Sequence, residues 1–232
     1  LNAEQVFTGK GLGSNGWVLG AEKTAGASAA LLANPHFPWD GELRFFQQHL
    51  TIPGELDVTG VSLIGLPVVL IGFNQHLGWT HTVSQSKQFT FYQLELDPQN
   101  PLRYRYGDTY RDLSSQHVTI SVRQADDSVQ QVERTFYRSH YGPMLDLGML
   151  SGQLGWTAQS AITFRDANAG NFRMVQQWLA MGKASSAEAL IDTLQQHQGI
   201  PWVNTLITGK DGNVHYVDAS QVPRLHPIAE GY

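Results

Sequence analysis

Along the first two thirds of the chain, apolar and polar residues alternate over short spans broken by turn residues, which is the pattern of strands. Strand-like runs begin at residues 16–20 and 30–33. The second continues into Asn34-Pro35-His36-Phe37-Pro38-Trp39, where two prolines keep the backbone extended and exclude helix. Over 43–52, Phe45, Gln47, His49 and Thr51 oppose Phe46, Gln48, Leu50 and Ile52, giving one largely polar face. Beyond the Pro53-Gly54 turn, apolar runs at 56–64 and 68–73 flank Gly65-Leu66-Pro67, and further strands are expected at 77–83 and 89–96. Residues 102–146 read as a meander, with strands at 104–106, 118–122 and 129–137, and Tyr141-Gly142-Pro143 turning into one at 144–147.

Helical spacing comes late. Phe172, Val175, Trp178 and Leu179 share one helical face behind Asn168 as a cap. Ser185-Ser186-Ala187-Glu188 is a capping-box pattern ahead of Leu190, Ile191 and Leu194, with Gly199 and Pro201 to stop that helix. Strands resume at 202–208 and 214–217 around a Lys210-Asp211-Gly212-Asn213 turn. Many strands, then two helices, then a hairpin predict an α+β fold with helices laid on a mostly antiparallel sheet.

Composition narrows the classes. With 41% hydrophobic and 15% charged residues, the 232-residue chain is a folded globular protein. A net charge of −5 without basic clusters argues against a nucleic-acid partner. No apolar run approaches the roughly 20 residues that cross a bilayer, so no membrane insertion is expected. The absence of cysteine removes disulfides and thiolate metal sites. Both ends read as cuts in a longer chain.

Nucleophilic catalysis requires an activated Ser, Thr or Cys, a base and an oxyanion hole. There is no Gly-x-Ser-x-Gly elbow and no His-Glu-x-x-His, and the nine histidines are scattered, so no metal or cofactor is expected. Gly11-Leu12-Gly13-Ser14-Asn15-Gly16 is by composition an ordinary turn, but it stands directly before the first strand.

Ser14-Asn15-x-Trp17, Leu31-Leu32-Ala33-Asn34-Pro35-His36-Phe37-Pro38, Pro53-Gly54 with Asp57-Val58-x-Gly60, Gly65-Leu66-Pro67 with Ile71-Gly72-Phe73-Asn74, and Trp79-Thr80-His81-Thr82-Val83 stand in that order along the chain. Together they closely resemble the N-terminal-nucleophile hydrolases of the penicillin acylase superfamily. The likeness continues through Tyr141-Gly142-Pro143, Arg165-Asp166-Ala167, Gln176-Gln177-Trp178 and Ile200-Pro201-Trp202-Val203-Asn204-Thr205. It is greatest to the acyl-homoserine-lactone and aculeacin acylases.

The resemblance implies an αββα sandwich of mostly antiparallel sheets with helices on the outer faces. It also implies that the Gly13–Ser14 bond is cut by the Ser14 hydroxyl. Residues 1–13 would then be the end of a linker or propeptide, and 14–232 the N-terminal part of a large subunit, incomplete at its C-terminus. The freed α-amine, with an ordinary pKa of about 7.7–8.0, is suited to general-base work near neutral pH.

By family position Ser14 is the nucleophile, His36 orients or tunes it, and the backbone N–H of Val83 is an oxyanion donor. Phe37, Leu66, Leu70, Ile71, Thr82, Trp178, Trp202 and Val203 match substrate-binding positions, although core packing accounts for the apolar ones nearly as well. The family's second oxyanion donor, an Asn, and a nearby Arg lie beyond the matching segment. Where penicillin G acylase holds calcium, residues 84–90 here carry no acidic side chain, so no calcium is expected.

The implied activity is hydrolysis of an acylated amide, an N-acyl-homoserine lactone or a lipopeptide, by a periplasmic enzyme partnered by a small subunit from the same precursor. A β-lactam acylase, an uncleaved inactive paralogue acting as a β-rich ligand-binding module, and a metal-dependent hydrolase are the alternatives at this point.

Overall fold

The computed structural model describes residues 13–25, 29–148 and 155–225. The expected linker up to residue 12, and residues 26–28, lie outside these. In chain order the strands are β1 (Gly13–Leu19), β2 (Ala30–His36), β3 (Phe45–Ile52), β4 (Leu56–Leu63), β5 (Ile71–Phe73), β6 (Leu77–Val83), β7 (Phe89–Asp97) and β8 (Asn100–Tyr106). Then come β9 (Thr109–Asp112), β10 (Ser114–Arg123), β11 (Val129–Arg138), β12 (Met144–Leu145) and β13 (Ser160–Asp166). Helices α1 (Met174–Lys183) and α2 (Ala187–His197) follow, then β14 (Val203–Gly209) and β15 (Val214–Asp218). The described residues form two compact units, one of 13–86 and 170–222, the other of 87–169 with 223–225.

The first unit is a six-stranded antiparallel sheet in the order β15-β14-β6-β5-β4-β3. One face packs on α1 and α2, and Leu56, Val58, Leu77, Trp79 and Ile207 meet Trp178, Met181, Leu190 and Leu194 there. Because side chains alternate along a strand, Thr80, Thr82, Leu206 and Thr208 point to the opposite face. There the two-stranded β1–β2 ribbon lies: a Cβ on Gly16 would be 3.1 Å from Thr80 and 3.2 Å from Leu206, and one on Gly78 would be 3.3 Å from Leu31. Helices, sheet and ribbon thus make three layers, with both helices on one outer face.

The second unit holds a five-stranded antiparallel sheet in the order β12-β13-β7-β8-β9, and a separate β10–β11 ribbon. Its core is Leu94, Leu96, Tyr104, Leu113 and Ala161.

Several elements differ from the sequence expectation. The run at 68–73 is strand only from Ile71, because side-chain donors capture its backbone earlier. Gln48 Nε2 donates to Val68 O at 2.8 Å, and the indoles of Trp79 and Trp178 both donate to Leu70 O, at 2.7 and 3.0 Å. Strand β13 was not anticipated, since its inward residues include Ala161 and Thr163. The buried Thr163 hydroxyl is satisfied by Ser139 Oγ and the carbonyls of Gly142 and Pro143.

Helix α1 begins at Met174 with no side-chain cap, not behind Asn168. It buries Gln177, Trp178, Met181 and Gly182, leaving Phe172 87% exposed ahead of it. Gln177 tolerates burial because its amide accepts from Gly199 N–H (3.1 Å) and donates to Thr193 Oγ1 (3.2 Å). Helix α2 is capped by Ser186 accepting from Ala189 N–H at 3.1 Å, one residue later than the capping-box reading. Its left-handed terminal residue is Gln198. Gly199 is required for space instead: a Cβ there would meet Gln177 Cβ at 2.7 Å and Arg173 O at 2.8 Å.

Candidate active site

Alternation along β1 directs Ser14, Gly16 and Val18 toward the sheet and leaves Asn15, Trp17 and Leu19 outward and exposed. Ser14 is therefore half-buried at the start of the ribbon, opposite Pro35, with Gly13 opposite His36. The Ser14 hydroxyl donates to Gly13 O at 2.5 Å, so the nucleophile candidate rests against the carbonyl of the peptide bond it would attack. A Cβ on Gly13 would lie 3.5 Å from His36 Nδ1. The His36 imidazole is exposed, and its Nε2 is 3.2 Å from Asn34 Nδ2.

An open cleft of about 340 Å³ is lined by Gly13, Ser14, Trp17, Thr82, Val83 and Gln85 among others. The β6–β14 register decides which backbone groups face it. Ser84 N–H donates to Trp202 O (2.9 Å) and Lys210 N–H to His76 O (2.8 Å), so even-numbered residues of β6 bond with β14. Odd-numbered residues, Val83 among them, direct their N–H to the other edge. There β5 pairs as Gly72↔Trp79 and Phe73↔Gly78, so among the described residues no strand pairs with Val83 on that edge.

The other candidates lie elsewhere. Leu70, Ile71 and Trp178 are buried, and Leu66 and Val203 pack on the same core as Leu70 and Trp178. Phe37 stacks edge-on against Phe45 with ring centres 5.0 Å apart, and Trp202 is half-exposed ahead of β14. The structure thus gathers Ser14, Thr82 and Val83 around one cleft, with His36 on its flank, and does not bring the apolar set to it. A hollow of similar size, about 350 Å³, lies by the β3–β4 turn and gathers none of the candidate residues.

Two polar groups not anticipated as site residues anchor the cleft. Asn204, buried on β14 opposite Thr82, donates through Nδ2 to Thr82 Oγ1 (3.0 Å) and Val83 O (3.2 Å). Asp218 on β15 accepts from Ser84 Oγ (2.7 Å) and Ser86 Oγ (2.9 Å), just beyond Val83. Burial acts to raise the Asp218 pKa, but the hydrogen bonds from Ser220, Ser84 and Ser86 outweigh it and hold it below the usual carboxylate value. The signal for Asn204 was an amide set among the apolar and β-branched residues of a central strand, which must be satisfied from neighbouring strands.

On the helix face, His81 is a satisfied core histidine. Its Nδ1 is 3.0 Å from Asn204 O, and its Nε2 accepts from Trp178 Nε1 at 3.0 Å. Burial drives its pKa down to about 4, against the opposing pull of the Asn204 and Leu70 carbonyls.

Residues 2–231 match the penicillin amidase family, and the chain belongs to that family. It is 49% identical over 211 residues to acyl-homoserine lactone acylase PvdQ of Pseudomonas putida, covering 91% of this chain and 27% of that protein. Aculeacin-A acylase of Actinoplanes utahensis is 39% identical over 218 residues, 94% of this chain and 27% of its own length. Thermostable penicillin G acylase from Alcaligenes faecalis matches with a TM-score of 0.73 at 21% identity, over 90% of this chain and 35% of that one. This shows the N-terminal-nucleophile hydrolase fold. The chain spans about a quarter of the length (27%) of the curated relatives it matches.

Proposed function

We propose that this chain carries the nucleophile of an amide hydrolase that removes an acyl chain from an acylated amine. The Ser14 hydroxyl attacks the Gly13 carbonyl carbon through a five-membered ring, the C–N bond breaks, and the Gly13 acyl group passes to Oγ as an ester. Water hydrolyses the ester, leaving a carboxylate on Gly13 and a free α-amine on Ser14. That amine then takes the proton from Oγ as it attacks the substrate amide. The Val83 N–H stabilises the tetrahedral oxyanion, the amine leaving group departs with the proton, and water releases the fatty acid from the acyl-enzyme.

The observation that carries this reading is the contact of Ser14 Oγ with the Gly13 carbonyl, in the cleft edged by Thr82 and Val83. N-acyl-homoserine lactones or acylated lipopeptides are the proposed substrates, in keeping with the names of the relatives at 49% and 39% identity. Residues 14–232 would belong to the large subunit, residues 1–13 to the segment before the cut, and a small subunit from the same precursor and a periplasmic location complete the proposal. His36 is assigned to orienting the nucleophile.

The test is to incubate the full-length protein with N-acyl-homoserine lactones of several chain lengths and assay the freed amine. Amine release that disappears in Ser14→Ala supports the reading. A protein with a free Ser14 N-terminus that releases no amine from acyl-homoserine lactones or acylated lipopeptides overturns it.

A further inference from the structure

The Val83 N–H is useful only if the Thr82–Val83 peptide is held at the cleft edge, and pairing with β5 ends before reaching it. Among the described residues, the sheet ladder therefore holds β6 there from the β14 edge alone. Asn204 supplies bonds beyond the ladder. Its backbone pairs with Thr82, and its side chain reaches over the same face to donate to both Thr82 Oγ1 and Val83 O. From the opposite face, the His81 imidazole holds the Asn204 carbonyl and is itself held by the Trp178 indole. With its oxygen occupied as an acceptor, the Thr82 hydroxyl keeps its hydrogen for the cleft.

We propose that Asn204 is a positioning residue. It fixes the peptide that carries the Val83 N–H and sets the Thr82 hydroxyl as a donor into the cleft, toward the substrate. The proposal rests on the acyl-transfer reading above. Asn204 touches no reacting atom. Its removal leaves the Val83 N–H in place but loosely held, so the effect falls on the transition state more than on substrate binding. Misplacement of about 1 Å costs up to about 10²-fold.

Steady-state kinetics of the full-length protein on an N-acyl-homoserine lactone test this, with Asn204→Ala, Thr82→Val and the double variant. Asn204→Ala lowers kcat about 10- to 100-fold with KM nearly unchanged. The double variant loses less than the product of the two single losses, because the bond from Asn204 Nδ2 to Thr82 Oγ1 is common to both. Thr82→Ser, which keeps the hydroxyl, restores most of the activity lost in Thr82→Val. If Asn204→Ala does not fold, Thr82→Val against Thr82→Ser decides the matter from the other partner, and equal kcat in those two overturns the proposal.

A wild type that releases amine while Asn204→Ala keeps its kcat, or changes only KM, overturns the positioning role and leaves the functional reading standing. A wild type that hydrolyses no acyl amide overturns both.

Discussion

Trp178 donates its indole N–H to the buried Nε2 of His81 at 3.0 Å, with the two rings edge to face. The donation requires an unprotonated nitrogen, so the fold holds His81 neutral, with a pKa of about 4. In the unfolded chain a histidine titrates near 6.5. Between pH 6.5 and about 4 only the unfolded chain takes up this proton. Stability is therefore full above about 6.5, falls as the pH drops through that window, and levels off below. The loss attributable to His81 is about 3 kcal/mol. Urea unfolding at pH 7.5 and 4.5 checks it: a His81→Gln variant should lose much less stability between those values than the wild type.

Gly60 and Gly72 face each other across β4 and β5, and neither has a left-handed backbone. What they provide is space. A Cβ on Gly60 would lie 2.1 Å from Ile71 O, and one on Gly72 would lie 2.2 Å from Thr59 O. Both obstacles are backbone, which cannot swing aside. Gly60→Ala should cost about 3 kcal/mol, at the upper end for overpacking, and lower the melting temperature accordingly. Gly65→Ala, in open space but at φ +90, should cost less, through backbone strain alone. Thermal melts of the two variants separate these causes.

How far the sequence was legible follows from the same residues. Strand β6 is where alternation and β-branching predicted it, because Leu77, Trp79 and Val83 present one apolar face. The apolar spacing points to the wrong stripe of helix α1, since the pattern counts only apolar residues and Gln177 is buried through partners 16 and 22 residues away. Strand β13 was invisible for a related reason: Thr163 is inward and satisfied from another part of the chain. The motif glycines Gly60 and Gly72 were visible as residues, but their purpose is a close approach that exists only in the folded sheet. Ser14, His36 and Val83 were named through family likeness. Asn204 and Asp218 carry no such signal of a site role in the sequence, because their meaning lies in which strand ends they bridge.

The register makes a prediction about Val83 that composition could not. Its side chain lies on the helix face and its N–H points to the edge that β5 leaves unpaired. Val83→Ala should therefore alter kcat little. Val83→Pro removes the N–H and fixes φ at about −65°, but it breaks no hydrogen bond to β14 and follows a Thr82 that is already extended. If that N–H is the oxyanion donor, the proline variant loses about 10²–10³-fold in kcat while melting within a few degrees of the wild type. Melting curves and amine-release kinetics on both variants check this together. A proline variant that keeps its kcat would place the oxyanion donor elsewhere.

The proposed self-cleavage would separate the roles of Gly13 and Ser14. Ser14→Ala leaves no hydroxyl to attack the Gly13 carbonyl, and the intact mass of that variant should be that of an uncut chain. Gly13 has no side chain, but the structure leaves room for one there. A Cβ would sit 3.5 Å from His36 Nδ1, an ordinary contact, and Gly13 has no left-handed φ. Gly13→Ala should therefore still cut itself. Gly13→Val adds two methyls to that Cβ beside the imidazole and should cut more slowly if His36 orients the nucleophile. Mass spectrometry of all three variants over time gives the order Gly13→Ala fastest, Gly13→Val slower and Ser14→Ala uncut. Equal rates for the alanine and valine variants would remove His36 from the cleavage step while leaving Ser14 in it.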